Sequence, residues 1–124
     1  MTLRRLFQAI GWLCVLAIVV LSLVAPSLRP VTFVPHNLEH IAIFAVTGLA
    51  LGFGYPGQTA RHMAMLVIFA AAIELAQFYA PGRHPRVIDF VVDALGACVG
   101  AALAAVLMKL FTRRAERNWR AKRP

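Results

Sequence analysis

Three of the chain's five acidic residues lie within apolar stretches, where a carboxylate is costly. Glu74 lies inside the apolar run 63–80, and Asp89 and Asp93 lie near the start of the run 87–111. A charged side chain at the centre of a lipid bilayer costs on the order of 3 kcal/mol on insertion scales. These acids therefore either satisfy the polar groups of their neighbours or line a polar site. Such a site could bind a polar headgroup, hold a metal ion or carry a proton.

Further polar residues flank these acids at the ends of neighbouring apolar stretches: His36, Glu39, His40, Gln77, Arg83, His84 and Arg86. Gln77 follows Glu74 by one helical turn, and Asp93 follows Asp89 by one turn, so each pair shares a helix face. Residues from three stretches would then meet at one end of a helix bundle. The residues that we predict to form one ligand-binding site are His40, Glu74, Gln77, Arg83, Arg86, Asp89 and Asp93.

Local electrostatics favours such a cluster. Asp89 would occupy the first turn of its helix, where the positive end of the helix dipole stabilises an anion. Arg86 precedes it by three residues and can pair with it. His40 can pair with Glu39 or with Glu74. The cluster can therefore come close to electrical neutrality.

The composition indicates an all-α integral membrane protein. The 124 residues are 60% hydrophobic and only 15% charged, which is more apolar surface than a soluble domain of this size can bury. Prolines and glycines divide the chain into four apolar spans, at about 7–25, 38–55, 63–80 and 87–111. We predict one domain, residues 1–111, that is a bundle of four transmembrane helices, followed by a basic tail at 112–124.

The distribution of positive charge predicts the orientation of this bundle. With the N-terminus in the cytoplasm, three basic residues lie outside, Arg29, Arg83 and Arg86, and the other ten of the thirteen lie inside. This asymmetry follows the positive-inside rule and places both termini in the cytoplasm. The net charge of +8 is thereby explained by the inner face of a membrane, and nucleic acid is not expected as a partner. We predict a multi-pass protein of the bacterial inner membrane.

Small residues recur at helical spacing on the second and fourth spans. Gly48 and Gly52 lie on one face of the second span, and Gly96 and Gly100 continue the face of the fourth that carries the two aspartates. Small residues four apart let helix backbones approach closely, so we predict that these glycines pack helices together. The same faces could pack within one bundle or between copies, which leaves a homo-oligomer open.

The sequence resembles a known family at the same residues. The run from Glu74 to Arg83 reads Glu-Leu-Ala-Gln-Phe-Tyr-Ala-Pro-Gly-Arg, and it is followed by Asp89, Gly96 and Gly100. This block resembles the second conserved block of VanZ-like membrane proteins, and the segment 35–44 resembles the first. Asp93 stands where that family usually has Asn. The resemblance covers about residues 33–104 and implies a small bacterial inner-membrane protein. The namesake of the family is linked to tolerance of teicoplanin.

Two functions fit these features equally. In the first, the polar cluster is an outward-facing site for the headgroup of an anionic lipid or a lipid-linked envelope molecule, with Arg83 and Arg86 binding phosphate or carboxylate. In the second, the cluster is structural, and the protein is a membrane scaffold or an accessory subunit. A proton-coupled transporter that uses Glu74 is a weaker alternative.

An enzyme is also a weaker alternative. His36 and His40 are four residues apart, a spacing that can chelate a metal, but the sequence lacks the Glu that follows the first His in zinc peptidases. No Ser or Cys nucleophile lies beside a base on the outer side, apart from Ser27. We therefore expect no catalytic residue and no cofactor.

Overall fold

The computed structural model describes residues 2–24, 33, 35–80, 82 and 84–122, without the side chains of residues 36 and 37. Within this part of the chain there are four helices and no strand: α1 at Leu3–Leu23, α2 at His36–Gly54, α3 at Thr59–Gln77 and α4 at Val87–Arg120. The all-helical fold agrees with the expectation from the sequence.

The helices begin and end at local signals. Helix α1 begins at Leu3 because the hydroxyl oxygen of Thr2 accepts a hydrogen bond of 3.4 Å from the backbone N–H of Arg5. Helix α3 ends at Gln77, three residues earlier than the predicted span, and residues 78–80 form a turn before Pro81. A residue that precedes proline is disfavoured in the helical conformation, so the helix is not expected to continue through Ala80.

Helix α4 is longer than the predicted span. It continues past residue 111 to Arg120 without a break, so most of the basic tail is helical. Its 34 residues correspond to a length of about 51 Å at the usual helical rise. Residues 109–122 are exposed, and this part of α4 extends beyond the other helices.

Helices α1 and α2 run antiparallel. The side chains of Arg4 and Gln8 both donate hydrogen bonds to the carbonyl oxygen of Gly54, at 3.1 and 2.9 Å. The rings of Phe7 and Phe53 are 4.9 Å apart. The last carbonyl of α2 is therefore satisfied by side chains from the start of α1, which fixes the two helix ends side by side.

Helices α2 and α4 run parallel and make the most extensive helix contact in the described bundle. Ile41 lies against Gly96, and Gly52 lies against Ala104 further along both helices. A Cβ atom at Gly100 would collide with the backbone of Ala45. Only glycine permits this approach, so the small-residue faces set the distance between the two helices.

Three helices are long and apolar enough to cross a membrane, namely α1, α3 and α4, whereas the apolar part of α2, Leu38–Gly54, is shorter. Large apolar side chains cover the outward faces of the helices rather than being buried. They include Leu13, Leu16, Ile68, Leu75, Leu95 and Val99. A surface of this kind is expected in contact with lipid.

Candidate ligand-binding site

A cluster of polar side chains from three helices lies at one end of the bundle. It consists of His40 from α2, Glu74 from α3, and Asp89 and Asp93 from α4, all of which are buried. We call these four residues the acidic cluster. They meet because α2 begins, α3 ends and α4 begins at this end of the bundle.

His40 and Asp93 form a buried pair within the cluster. Nδ1 of His40 lies 2.9 Å from Oδ1 of Asp93, and the aspartate side chain has no exposed surface. The parallel register of α2 and α4 brings these residues together, because Ile41 and Gly96 meet one turn away. The pair therefore links the two helices that are already in closest contact.

Glu74 connects α3 to the start of α4. Its Oε2 accepts a hydrogen bond of 3.0 Å from the backbone N–H of Arg86, the residue that precedes the first turn of α4. Glu74 also lies close enough to Asp89, Asp93 and His40 to interact with each of them electrostatically. The Glu74 carboxylate thus bonds to the start of α4 and lies near the side chain that α2 contributes to the cluster.

Each of the three carboxylates has one buried oxygen without a hydrogen-bond partner in the described structure. These atoms are Oε1 of Glu74, Oδ1 of Asp89 and Oδ2 of Asp93. A buried acceptor that lacks a donor costs on the order of 1–3 kcal/mol, and more when it is charged, so such groups are rarely left unsatisfied. The cluster can therefore accept hydrogen bonds from donors that the four side chains do not supply.

A groove of about 310 Å³ between α3 and α4 lies beside Glu74. Its walls are mainly apolar, and Glu74 and Arg86 are the charged residues that line it. The apolar residues around it include Leu75, Phe78, Val87 and Phe90. The aromatic walls were not singled out from the sequence, because their role depends on how α3 and α4 pack.

The remaining predicted site residues have different environments. Gln77 is buried on α3, one turn after Glu74. Arg86 is exposed, and its described contact is made by its backbone rather than by its guanidinium group. Arg83 lies outside the described residues.

The structure adds one pairing to those expected from the sequence and lacks another among the described contacts. His40 pairs with Asp93, a partner that the sequence did not suggest, and it also lies within electrostatic range of Glu74, as expected. The expected ion pair between Arg86 and Asp89 does not occur among the described contacts, in which Arg86 uses its backbone N–H to bond Glu74. The pairing of His40 with Asp93 depends on the register between α2 and α4, which spacing within one helix does not reveal.

Metal binding gains no support from the described residues. Within them, no group of three or more His, Cys, Asp or Glu side chains is arranged to hold a metal ion. The side chain of His36, one half of the candidate metal pair with His40, lies outside the described part of the structure.

The fold and the site define a class of protein: an all-helical bundle with three helices able to cross a membrane and a buried carboxylate–imidazole cluster at one end. The family model for VanZ/LLP1 matches residues 2–109, and the chain belongs to the VanZ/LLP1 family. This confirms the resemblance noted in the sequence. No match was found among curated proteins or among solved structures.

Proposed function

We propose that the chain is a multi-pass protein of the bacterial inner membrane that binds the headgroup of a lipid-linked or envelope molecule at the acidic cluster. The bundle crosses the bilayer with both termini in the cytoplasm, and the acidic cluster faces the extracytoplasmic side. The basic residues support this orientation. Arg4 contacts the end of α2 that lies opposite to the cluster, and the basic part of α4 lies at that same end of the bundle, where the positive-inside rule expects the cytoplasm.

The dimensions of the helices fit this arrangement. The 19 residues of α3 correspond to about 29 Å, close to the roughly 30 Å thickness of a bilayer core. Glu74 lies three residues before the end of α3, which places it about 5 Å below that end by helix rise. A headgroup held near the outer boundary of the bilayer is therefore within reach of its carboxylate.

The single observation that carries the proposal is the unpartnered Oε1 of Glu74 beside an apolar groove. An alkyl chain matches the walls formed by Phe78 and Phe90. Hydroxyl, amide or ammonium groups of a headgroup would satisfy the unpartnered carboxylate oxygens. The guanidinium group of Arg86, at the same groove, would bind a phosphate or carboxylate. Amphiphiles of this composition are the proposed ligands.

A structural role is the second candidate, and it has its own support. The pair of His40 and Asp93 joins α2 to α4, and the bond from Arg86 to Glu74 joins α4 to α3. Contacts of this kind would hold three helices in register whether or not a ligand binds. In that case the protein is a membrane scaffold or accessory subunit.

Conservative variants separate the two candidates. Glu74→Gln keeps an oxygen that can accept the bond from Arg86 but removes the charge, and Arg86→Gln removes an exposed charge. Matched controls are Glu116→Gln and Arg113→Gln, which change exposed residues of the same types near the far end of α4.

The readout is sensitivity to a panel of envelope-targeting antibiotics in cells that lack the wild-type protein, together with membrane abundance and thermal stability. Ligand binding predicts that Glu74→Gln and Arg86→Gln lose the phenotype of the wild type at normal abundance, whereas both controls retain it. A wild-type phenotype in both site variants would refute the binding proposal. If the phenotype is lost only in variants that also lose stable protein, the structural role would be favoured.

A further inference from the structure

A second cavity lies at the opposite end of the bundle, among α1, α2 and α3. Its volume is about 400 Å³. The residues that line it and bear on its chemistry are Trp12, Leu51, Tyr55, Arg61, His62 and Phe69. His62 and Glu74 are twelve residues apart on α3, which separates this cavity from the acidic cluster by about 18 Å. The two sites are therefore distinct.

One residue that lines this cavity has a buried imidazole nitrogen without a partner in the described structure. His62 is only 8% exposed, and its Nδ1 has no hydrogen-bond partner in the described structure. Its ring lies 5.6 Å from that of Tyr55, centre to centre, which fixes its position. In one of its neutral tautomers Nδ1 carries a hydrogen and donates. His62 thus offers a hydrogen-bond donor for which the described structure supplies no acceptor.

The other polar groups at this cavity are also donors. The indole N–H of Trp12 donates to the hydroxyl oxygen of Tyr55 at 3.1 Å, which leaves the hydroxyl hydrogen of Tyr55 for another acceptor. Helix α3 begins here, and the side chain of its N-cap residue Gln58 makes no capping hydrogen bond. The first backbone N–H groups of a helix bind anions well when no side chain caps them. Arg61, exposed at the same cavity, adds a positive charge.

The rest of the cavity wall is apolar, including Leu51 and Phe69. A small hydrated anion would leave this surface without a partner, whereas an acyl chain would cover it. We propose that the cavity binds an anionic amphiphile, with its phosphate or carboxylate at Arg61, His62 and the start of α3 and its chain against the apolar wall. This cavity offers hydrogen-bond donors and a positive charge, whereas the acidic cluster offers acceptors. The proposal does not depend on the function proposed for the acidic cluster.

The test uses the full-length protein in a neutral detergent, with binding of phosphatidylglycerol measured by native mass spectrometry. Phosphatidylcholine and inorganic phosphate are the comparison probes. Arg61→Gln removes the exposed charge, and His62→Phe replaces the imidazole with a ring that cannot donate. Each is expected to weaken phosphatidylglycerol binding about tenfold, the effect of losing one charge-assisted hydrogen bond. Arg113→Gln, which changes an exposed arginine on α4, is expected to bind it as the wild type does.

Several results would overturn the proposal. One is unchanged phosphatidylglycerol binding in Arg61→Gln, which decides the matter even if His62→Phe folds poorly, since Arg61 is exposed. Another is equal binding of phosphatidylcholine and phosphatidylglycerol, which would show that the cavity does not select a headgroup with a net negative charge. A third is Arg61-dependent binding of inorganic phosphate as tight as that of phosphatidylglycerol, which would assign the site to a free anion and exclude the amphiphile.

Discussion

The contact between α2 and α4 is closed by glycines and a buried ion pair, whereas α3 meets its neighbours beside open space. At the first contact Gly48 and Gly100 allow backbone to touch backbone, and His40 pairs with Asp93. Beside α3 lie the groove at Glu74 and the cavity at His62. Each of these two buried α3 side chains keeps one polar atom without a partner in the described structure.

This difference separates stability from binding within one small bundle. Close packing leaves no room for a ligand, and the buried pair leaves one atom, Oδ2 of Asp93, without a described partner. Unsatisfied polar atoms beside apolar space have the composition of ligand sites. We infer that the α2–α4 contact is the rigid frame and that α3 carries the binding surfaces, one at each end.

The largest effect is expected from filling the α2–α4 contact. Gly100→Leu should prevent the two backbones from approaching and destabilise the protein by more than about 3 kcal/mol, because overpacking against backbone cannot be relieved by a rotamer change. The measurement is the yield of monodisperse protein and its thermal unfolding in detergent. Ala42→Leu, on the exposed face of α2, is the matched control and should change stability by less than about 0.5 kcal/mol. Equal stability of both variants would show that the contact is not tight.

A smaller but still large effect is expected at the buried pair. Asp93→Ala should cost about 3–5 kcal/mol, since it leaves His40 buried without its described ion-pair partner. A double-mutant cycle with His40→Ala, followed by denaturant unfolding, measures the coupling between the two residues. The double variant should lose less stability than the sum of the single variants. Additive losses would mean that the pair does not stabilise the frame.

Much of the frame was predictable from the sequence, because its signals are local. Prolines and glycines between apolar runs gave four helices, and the four-residue spacing of Gly96 and Gly100 predicted a common face. The partner of His40 was not predictable, because Asp93 is 53 residues away in sequence and meets it only through the parallel register of α2 and α4. The cavity at His62 was missed for a similar reason: Trp12 and Tyr55 reach it from different helices.

The helix bounds illustrate the same limit. The sequence placed the end of the fourth span near residue 111, where the apolar run stops, but α4 continues to Arg120. Apolar periodicity reports what contacts lipid or a core, not where backbone hydrogen bonding ends. No proline or glycine interrupts residues 101–123, so nothing in the chain ends the helix earlier.

The smallest change in stability is expected at α3. Glu74→Gln keeps a side-chain oxygen for the backbone N–H of Arg86, so the free energy of unfolding should change by less than about 1 kcal/mol. The measurement is the thermal unfolding of Glu74→Gln compared with that of Glu116→Gln. A loss as large as that of Asp93→Ala would place Glu74 in the frame and remove the distinction drawn between the two regions.

The central claim is that Glu74 binds a ligand rather than only holding α4. The most direct test is native mass spectrometry of the protein purified gently from bacterial membranes, comparing the amphiphiles that remain bound to the wild type, Glu74→Gln and Glu116→Gln. The account predicts a bound amphiphile on the wild type and on Glu116→Gln, and its loss from folded Glu74→Gln. The same occupancy on all three proteins, or no bound amphiphile on the wild type, would contradict it.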